Sequence, residues 1–265
     1  MSLYQNRIVV KVGTSTLTNE IGKNNLRSFE RLAYVLSDVQ NMGYEIILVS
    51  SGAIAVGANK LKMKKRPTTM RLKQAAAAVG QSSLMFLYDR FFSDYDKTIG
   101  QILLNAEDIK IEEKKINLTN TFEALLEMDI IPVVNENDSV SYTEIESDER
   151  LFGDNDVLSA VVAVLCSASK LIILSDIDGF YDRDPRLDPN AKLIHRITQI
   201  DDSVKSLAGG AGSRRGTGGM KTKLQAAELA ISHGIDTTVT NGKNPEAIYE
   251  ILKGNSAGTL FVGQK

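Results

Sequence analysis

The sequence predicts an α/β protein, a three-layer αβα sandwich in which helices cover both faces of a mostly parallel central sheet. Short β-rich runs alternate with helical patterns along nearly the whole chain, and this alternation is typical of parallel strands joined by crossover helices. Some runs, such as Ile46–Val49, are apolar throughout, as expected for strands covered on both faces. No repeat or linker interrupts the pattern, so we expect one continuous domain over residues 1–265.

The first half of the chain predicts four strands separated by three helices. In the helix after the first strand, apolar residues recur at helical spacing, and Gly43 beyond it is a typical C-terminal cap. In order, these elements are expected at Arg7–Val12, Leu26–Val39, Ile46–Val49, Met70–Phe92, Thr98–Leu104, Leu118–Met128 and Ile130–Val134.

The second half alternates in the same way. Its elements are expected at Leu158–Cys166 (helix), Leu171–Leu174 (strand), from the glycine-rich loop to His233 (helix), Thr237–Thr240 (strand), Glu246–Leu252 (helix) and Thr259–Val262 (strand). The polar, uneven segment Ser139–Leu151 is either an exposed hairpin or a mobile loop over a site.

Composition argues against several classes of protein. The chain has 31 Lys and Arg against 33 Asp and Glu, a formal net charge of −2, which lacks the basic footprint of a nucleic-acid binder. Its single cysteine, Cys166, cannot form an internal disulfide and is interpreted as a buried small apolar residue. The two histidines show no metal-ligand spacing, which argues against a zinc site. With no membrane span or signal peptide in the sequence, we expect a cytoplasmic protein.

Polar or glycine-rich segments follow four of the predicted strands. They are Lys11–Ser15, Ser50–Gly57, Asn135–Asp138 and Ser175–Gly179. Ligands of doubly wound sheets bind beyond the carboxyl ends of the strands, so these segments predict a site at one edge of the sheet.

Each segment also has a plainer explanation. Lys11 could reach solvent from the strand end, and the dipeptide Asp178-Gly179 is a common turn pair. In the segment Gly153–Asp156, one polar residue suffices to cap the next helix. The other polar residues of that segment call for a second explanation.

A glycine-rich loop, Gly216–Lys223, runs directly into a good helix former. Glycine lets backbone N–H groups approach a ligand closely, and a helix start adds unpaired N–H groups and a positive dipole end. Together with two lysines, these features favour a phosphate group. The sequence contains neither a Walker-type nor a dinucleotide-binding motif after the first strand, and the protein-kinase motif set is missing.

Seven segments, in this order, carry a specific resemblance. They are Val10–Ser15, Ser50–Gly57, Ala76–Gln81, Asn135–Asp138, Phe152–Asp156, Asp182–Arg186 and Gly216–Lys223. Together they resemble the amino acid kinase family, in particular its members that phosphorylate free glutamate. The resemblance implies the amino acid kinase fold for a single domain at 1–265. Relatives often carry a C-terminal domain of the PUA type, which we expect to be absent here.

The resemblance also implies an activity, the ATP-dependent phosphorylation of the side-chain carboxylate of L-glutamate at the first step towards proline. It implies that Lys11 and Lys223 contact the phosphoryl group in flight and that Asp156 holds both lysines. The implied glutamate-binding residues are Ser51, Asp138 and Asn155. The implied ATP-binding residues are Lys11, Gly13, Ser175, Asp176, Thr217, Gly218, Gly219, Met220, Lys221, Thr222 and Lys223.

Cofactor and partners follow from the same resemblance. Mg²⁺ is expected to bind mainly through the phosphates of ATP rather than through a carboxylate cage of the protein. Proline is a candidate feedback inhibitor, and a homodimer or homotetramer is expected. Neither nucleic acid nor a membrane is expected as a partner.

The residue types suit this chemistry. The acceptor carboxylate, with a reference pKa of about 4.3, is already ionised at neutral pH, so no general base is required. The difficulty is that one anion must approach another, and phosphoryl transfer then depends on positioning and charge stabilisation. Asp138 is a candidate partner for the α-amino group of glutamate, and Asn155 a candidate donor to its α-carboxylate. Two alternatives stay open: a kinase of the same fold with another acceptor, and a non-catalytic amino-acid sensor.

Overall fold

The computed structural model describes residues 3–19, 23–140, 155–185, 187–208 and 219–264. The strands are β1 (Tyr4–Val12), β2 (Glu45–Ser50), β3 (Ile99–Leu104), β4 (Ile131–Glu136), β5 (Ala168–Ser175), β6 (Phe180–Tyr181), β7 (Leu193–Ile194), β8 (Arg196–Ile197), β9 (Asp236–Asn241) and β10 (Thr259–Phe261). The helices are α1 (Thr14–Leu17), α2 (Leu26–Asn41), α3 (Ala53–Lys60), α4 (Met70–Ser93), α5 (Ala106–Lys110), α6 (Glu112–Glu127), α7 (Asn155–Leu165), α8 (Asp202–Leu207), α9 (Met220–Ile231) and α10 (Ala247–Leu252).

The central sheet has the strand order β3-β4-β2-β1-β5-β9-β10-β8. Every neighbouring pair is parallel except β9 and β10, so the prediction of a mostly parallel sheet is confirmed. Val12, the last residue of β1, lies opposite Ser50 of β2 and Leu174 of β5. Because these strand ends are level, the residues that follow them meet at one edge of the sheet.

Both faces of the sheet are buried, which confirms the three-layer architecture. Side chains alternate between the faces of a strand, and β1 divides its apolar residues accordingly. Val9 packs in a core with Phe122 of α6 and Leu158 of α7. Val10 packs in the other core with Phe29 of α2 and Tyr88 of α4.

Helices α3 and α4 cross at two glycines. A Cβ at Gly57 would overlap the backbone carbonyl of Ala76, and a Cβ at Gly80 would overlap that of Ala53. Glycine is therefore required at both positions by close approach of the two helix backbones. This contact holds α4 beside α3, which begins next to the strand end of β2.

The sequence prediction lacked seven short elements and placed the starts of two helices too late. The missing elements are α1, α3, α5, α8, β6, β7 and β8. Helix α6 begins at Glu112 rather than Leu118, because acidic residues are favourable in a first turn although they carry no apolar periodicity. Helix α7 begins at Asn155 rather than Leu158 for a similar reason. Within the described ranges, no helix combines the length and apolar character needed to cross a bilayer.

Candidate active site

Two lysines and one aspartate from distant parts of the chain meet at the carboxyl edge of the sheet. Lys11 lies near the end of β1, and Asp156 and Lys223 lie in the first turns of α7 and α9. Nζ of Lys11 is 2.5 Å from Oδ1 of Asp156, and Nζ of Lys223 is 3.0 Å from Oδ2. Asp156 is fully buried, and the two lysines are 5% and 8% exposed. The two ammonium groups therefore share one carboxylate, an arrangement called the lysine–aspartate triad below.

The helix starts place these charges in opposite ways. A helix N-terminus carries partial positive charge, so Asp156 occupies a favourable position in α7. Lys223 occupies the same region of α9, where the dipole disfavours a cation. The carboxylate of Asp156 offsets that cost. A buried charge placed against local preference is typical of a functional site.

Electrostatics keep the carboxylate of the triad ionised. Burial alone would raise the pKa of Asp156, but the charges and hydrogen bonds of Lys11 and Lys223 outweigh burial and lower the pKa to about 2. The ionised carboxylate of Asp156 thus stabilises the ammonium groups of both lysines. The two ammonium groups lie at the edge of the sheet where ligands of this architecture bind.

Two hydroxyl groups support Asp156. The hydroxyl of Thr222 donates to Oδ2 of Asp156 at 3.0 Å, and that of Ser159 donates to its backbone carbonyl at 2.5 Å. Sequence reasoning assigned Thr222 to the ATP site, whereas the structure places its side chain against the triad.

The predicted glutamate residues Ser51 and Asn155 are in direct contact. Nδ2 of Asn155 is 2.9 Å from Oγ of Ser51, 2.9 Å from the backbone oxygen of Ser50 and 3.0 Å from Oδ1 of Asn135. An amide nitrogen has two hydrogens, so these three acceptors occupy it. It is therefore not left facing a substrate carboxylate as the sequence reasoning expected.

Asp138 follows β4 and is partly buried. Burial raises the pKa of its carboxyl to about 6. No described residue forms an ion pair with it, so nothing in the described ranges compensates the cost of charging it. A carboxyl in this state favours a cationic ligand.

Gly13 and Ser175, two of the residues predicted to bind ATP, lie at the ends of the neighbouring strands β1 and β5. A Cβ built at Gly13 would lie 3.7 Å from Nζ of Lys11 and 3.8 Å from the backbone oxygen of Leu174. The backbone at Gly13 thus runs beside both the ammonium group and β5. Ser175 ends β5, and its hydroxyl donates to the exposed Asp176 at 3.2 Å.

Helix α9 brings further predicted ATP residues to this place. Gly219 immediately precedes the helix, and Met220 and Lys221 begin it, with Lys221 exposed. Thr217 and Gly218 lie outside the described residues, as do Gly153, Asp154 and most of the segment Ser139–Leu151.

Comparison with known proteins identifies the family. A model described as the amino acid kinase family matches residues 6–241. The chain belongs to the amino acid kinase family. Among curated relatives, the glutamate 5-kinase of Clostridium perfringens is 54% identical over 98% of this chain and 96% of its own length. That of Listeria monocytogenes is 51% identical over 98% of this chain and 94% of its own length.

Solved structures agree on the fold of this amino acid kinase. Carbamate kinase from Giardia lamblia bound to AMP-PNP superposes with a TM-score of 0.70 at 13% identity, covering 98% of this chain and 99% of that one. Isopentenyl phosphate kinase from T. acidophilum gives a TM-score of 0.64 at 16% identity, covering 96% and 99%. At these identities the likeness concerns the fold alone.

Two supporting residues of this amino acid kinase were not recognised as site residues from the sequence. Asn135 contacts Asn155, and Gln81 of α4 contacts Asn135 at 2.9 Å. Both lie within segments that carried the family resemblance, which was the available signal. Within the described ranges, no three His, Cys, Asp or Glu residues group closely enough to hold a metal ion.

Proposed function

We propose that the chain has glutamate 5-kinase activity, transferring the γ-phosphoryl group of ATP to the side-chain carboxylate of L-glutamate. The products are L-glutamyl 5-phosphate and ADP, and the reaction opens the route to proline. The observation that carries the proposal is the lysine–aspartate triad, in a chain 54% identical to a glutamate 5-kinase over almost its whole length.

In this reaction the triad stabilises charge rather than moving protons. The attacking carboxylate of glutamate is already ionised, so no base has to remove a proton from it. Its oxygen forms a bond to the γ-phosphorus of ATP while the bond from that phosphorus to the β-phosphate oxygen breaks. Lys11 and Lys223 neutralise the charge on the phosphoryl oxygens. Asp156 orients both ammonium groups through its two carboxylate oxygens. A lysine is a compact charge that can follow the moving group.

Asp138, Ser51 and Asn155 form the amino acid side of the site. The carboxyl of Asp138 is costly to ionise alone, with a pKa of about 6, and the α-ammonium group of glutamate compensates its charge. Ser51 lies at the strand end next to Gly52, whose φ of 104° turns the backbone into α3.

ATP lies on the side of Gly13, Ser175 and Asp176, and its phosphates reach the start of α9. Helix N-termini and glycine backbones suit phosphates, and Thr217 and Gly218 are included in this role on their sequence alone. Mg²⁺, held mainly by the phosphates and water, reduces the repulsion between the triphosphate and the acceptor.

Regulation and assembly complete the proposal. The chain acts as one amino acid kinase domain in the cytoplasm, forms a homodimer or homotetramer, and is inhibited by proline. A proline titration of the kinase assay and light scattering of the purified protein test these points.

The acceptor is tested by supplying purified protein with ATP, Mg²⁺ and, separately, glutamate, acetylglutamate, aspartate, carbamate or UMP. ADP formation is measured for each acceptor, and hydroxylamine traps any acyl phosphate. Glutamate alone is expected to give ADP and hydroxamate in equal amounts. Preference for another acceptor overturns the substrate assignment, and binding of glutamate without any turnover favours an amino-acid sensor.

A further inference from the structure

A chain of side-chain amides connects helix α4 to Asn155. Oε1 of Gln81 accepts a hydrogen bond from Nδ2 of Asn135 at 2.9 Å. Oδ1 of Asn135 accepts from Nδ2 of Asn155 at 3.0 Å, and the same nitrogen is 2.9 Å from Oγ of Ser51. Residues from α4, β4 and α7 are thus linked to the residue that follows β2.

Two backbone groups fix the direction of every amide in this chain. The backbone N–H of Glu136 donates to Oδ1 of Asn135 at 2.9 Å, and the backbone oxygen of Ser50 accepts from Nδ2 of Asn155 at 2.9 Å. A backbone N–H can only donate and a carbonyl can only accept. Asn135 must therefore direct its amide nitrogen towards Gln81, and Gln81 must accept the hydrogen bond with its side-chain oxygen.

This arrangement determines which side-chain atom of Asn155 is available to a ligand. Its nitrogen is occupied by protein acceptors, whereas no described residue donates to its Oδ1. The side chain therefore offers an acceptor to a ligand. Asp138, on the segment that follows Asn135, is a second acceptor and lacks a cationic partner in the described ranges. Two acceptors suit an ammonium group rather than a carboxylate.

Gln81 is well placed to control this direction. Asn135 is only 2% exposed, so its amide has little access to water, and an unpaired buried donor is costly. Among the described residues, Gln81 is the acceptor for Nδ2 of Asn135. Helix α4 is itself fixed: Gly80 packs against α3, and the hydroxyl of Tyr88 is 2.8 Å from that of Ser50.

We propose that Gln81 is a positioning residue for the amino acid substrate: it orients Asn135 so that Asn155 presents its carbonyl oxygen to the α-ammonium group. This inference rests on the proposed function for the identity of the substrate. It replaces the expectation that Asn155 donates to the α-carboxylate.

The test compares Gln81→Leu, which removes the acceptor, with Gln81→Glu, which retains one. Ser82→Ala, at the exposed neighbouring position, is the matched control. Gln81→Leu is expected to raise the KM for glutamate roughly tenfold, as for loss of a buried hydrogen bond, while the KM for ATP and the kcat stay within about twofold. Gln81→Glu and Ser82→Ala are expected to stay near the wild-type value. Urea unfolding of each variant checks that the protein is folded.

Two outcomes overturn the role of Gln81. One is a glutamate KM that does not change in Gln81→Leu. The other is an equal rise in both KM values, because a general loosening of the fold would affect both substrates. If Gln81→Glu is as impaired as Gln81→Leu, the acceptor oxygen is not what matters and the argument fails.

Competitive inhibitors identify the substrate group involved. Glutarate lacks the α-ammonium group, and γ-aminobutyrate lacks the α-carboxylate. Gln81→Leu is expected to weaken inhibition by γ-aminobutyrate and to leave that by glutarate unchanged, and the reverse overturns the assignment of Asn155. Failure of the wild-type protein to form ADP with glutamate would instead overturn the proposed function, so the two failures are distinguishable.

Discussion

Strand β1 carries two buried ionic clusters, and the two differ in whether a cation or a carboxylate is shared. At the amino end, Nε of Arg7 is 2.6 Å from Glu45, and its Nη1 and Nη2 are 2.6 and 2.8 Å from the two oxygens of Glu123. One cation thus meets two carboxylates. At the carboxyl end, Lys11 and Lys223 share the single carboxylate of Asp156.

The partners also differ in their access to solvent. Glu45 and Glu123 have side chains 31% and 32% exposed, so water can solvate the surplus negative charge. Asp156 is fully buried, and the two lysines beside it lie at the carboxyl edge of the sheet. The planar guanidinium of Arg7 uses four of its five N–H donors, because Nη1 donates further to the backbone oxygen of Cys166 at 2.8 Å. The Arg7 cluster uses its donors within the protein and stabilises the fold, whereas the lysine–aspartate triad places two ammonium groups where ligands of this architecture bind.

The largest expected effect is a fall in kcat when the lysine–aspartate triad is changed. Lys223→Met leaves Asp156 paired with Lys11, so we expect a folded protein. Loss of one charge stabiliser should lower kcat by about 10²–10³-fold. Steady-state kinetics and thermal unfolding measure the two properties. Near-normal turnover in this variant would mean that the triad has no role in phosphoryl transfer.

Arg7→Met should lower the stability of the protein and leave kcat unchanged, the opposite of Lys223→Met. Removing the guanidinium leaves two carboxylates facing each other, although their partial exposure lets them reach water. We expect a loss of about 2–3 kcal/mol in the free energy of unfolding, below the usual cost of breaking a fully buried pair. The kcat of the folded fraction should stay near the wild-type value. A large fall in kcat without loss of stability contradicts the division of roles.

Asp138→Asn sharpens the comparison because it removes a carboxylate that has no ion-pair partner among the described residues. Burial raises the pKa of Asp138 to about 6, so the folded state binds a proton more tightly than the unfolded state. That contribution to stability is present below the ordinary pKa and is lost as pH rises through about 6.

The variant should therefore be more stable than the wild type at pH 8 by about 1–2 kcal/mol, a value reduced for partial exposure, and the gain should vanish near pH 4. Its KM for glutamate should rise strongly, whereas that for ATP stays constant. In the wild type, the glutamate KM should fall as pH rises from 5 to 7. Urea unfolding and initial rates at each pH measure these changes, and a pH-independent KM contradicts the pairing.

The smallest expected effect is the loss of stability when Tyr4, which packs against Arg7, is replaced. The ring of Tyr4 lies 4.0 Å from Cζ of Arg7 and is 49% exposed. Tyr4→Leu should cost about 0.5–1 kcal/mol of stability, typical of an exposed cation–π contact, with no change in kinetics. In the Arg7→Met background the same substitution should cost less, and an undiminished cost would exclude the contact.

The sequence was sufficient for the elements whose patterns are local. Buried strands such as Ile46–Val49 form continuous apolar runs, and Lys11 and Lys223 stand in motifs with a specific resemblance. The strands β6 and β7 have only two residues each, so they are too short to show a periodic pattern in the sequence. Arg7 looked like an ordinary strand residue because its partner Glu123 is 116 positions away. The contact of Gln81 with Asn135 spans 54 positions and has no local signature.

The glycine crossing of α3 and α4 has a mechanical consequence. Gly80 touches the backbone of α3, and the next residue along the chain holds Asn135. No side chain cushions the two backbones there, so one helix cannot slide past the other without a steric clash. Any movement of α4 that displaces Gln81 must therefore carry α3 with it.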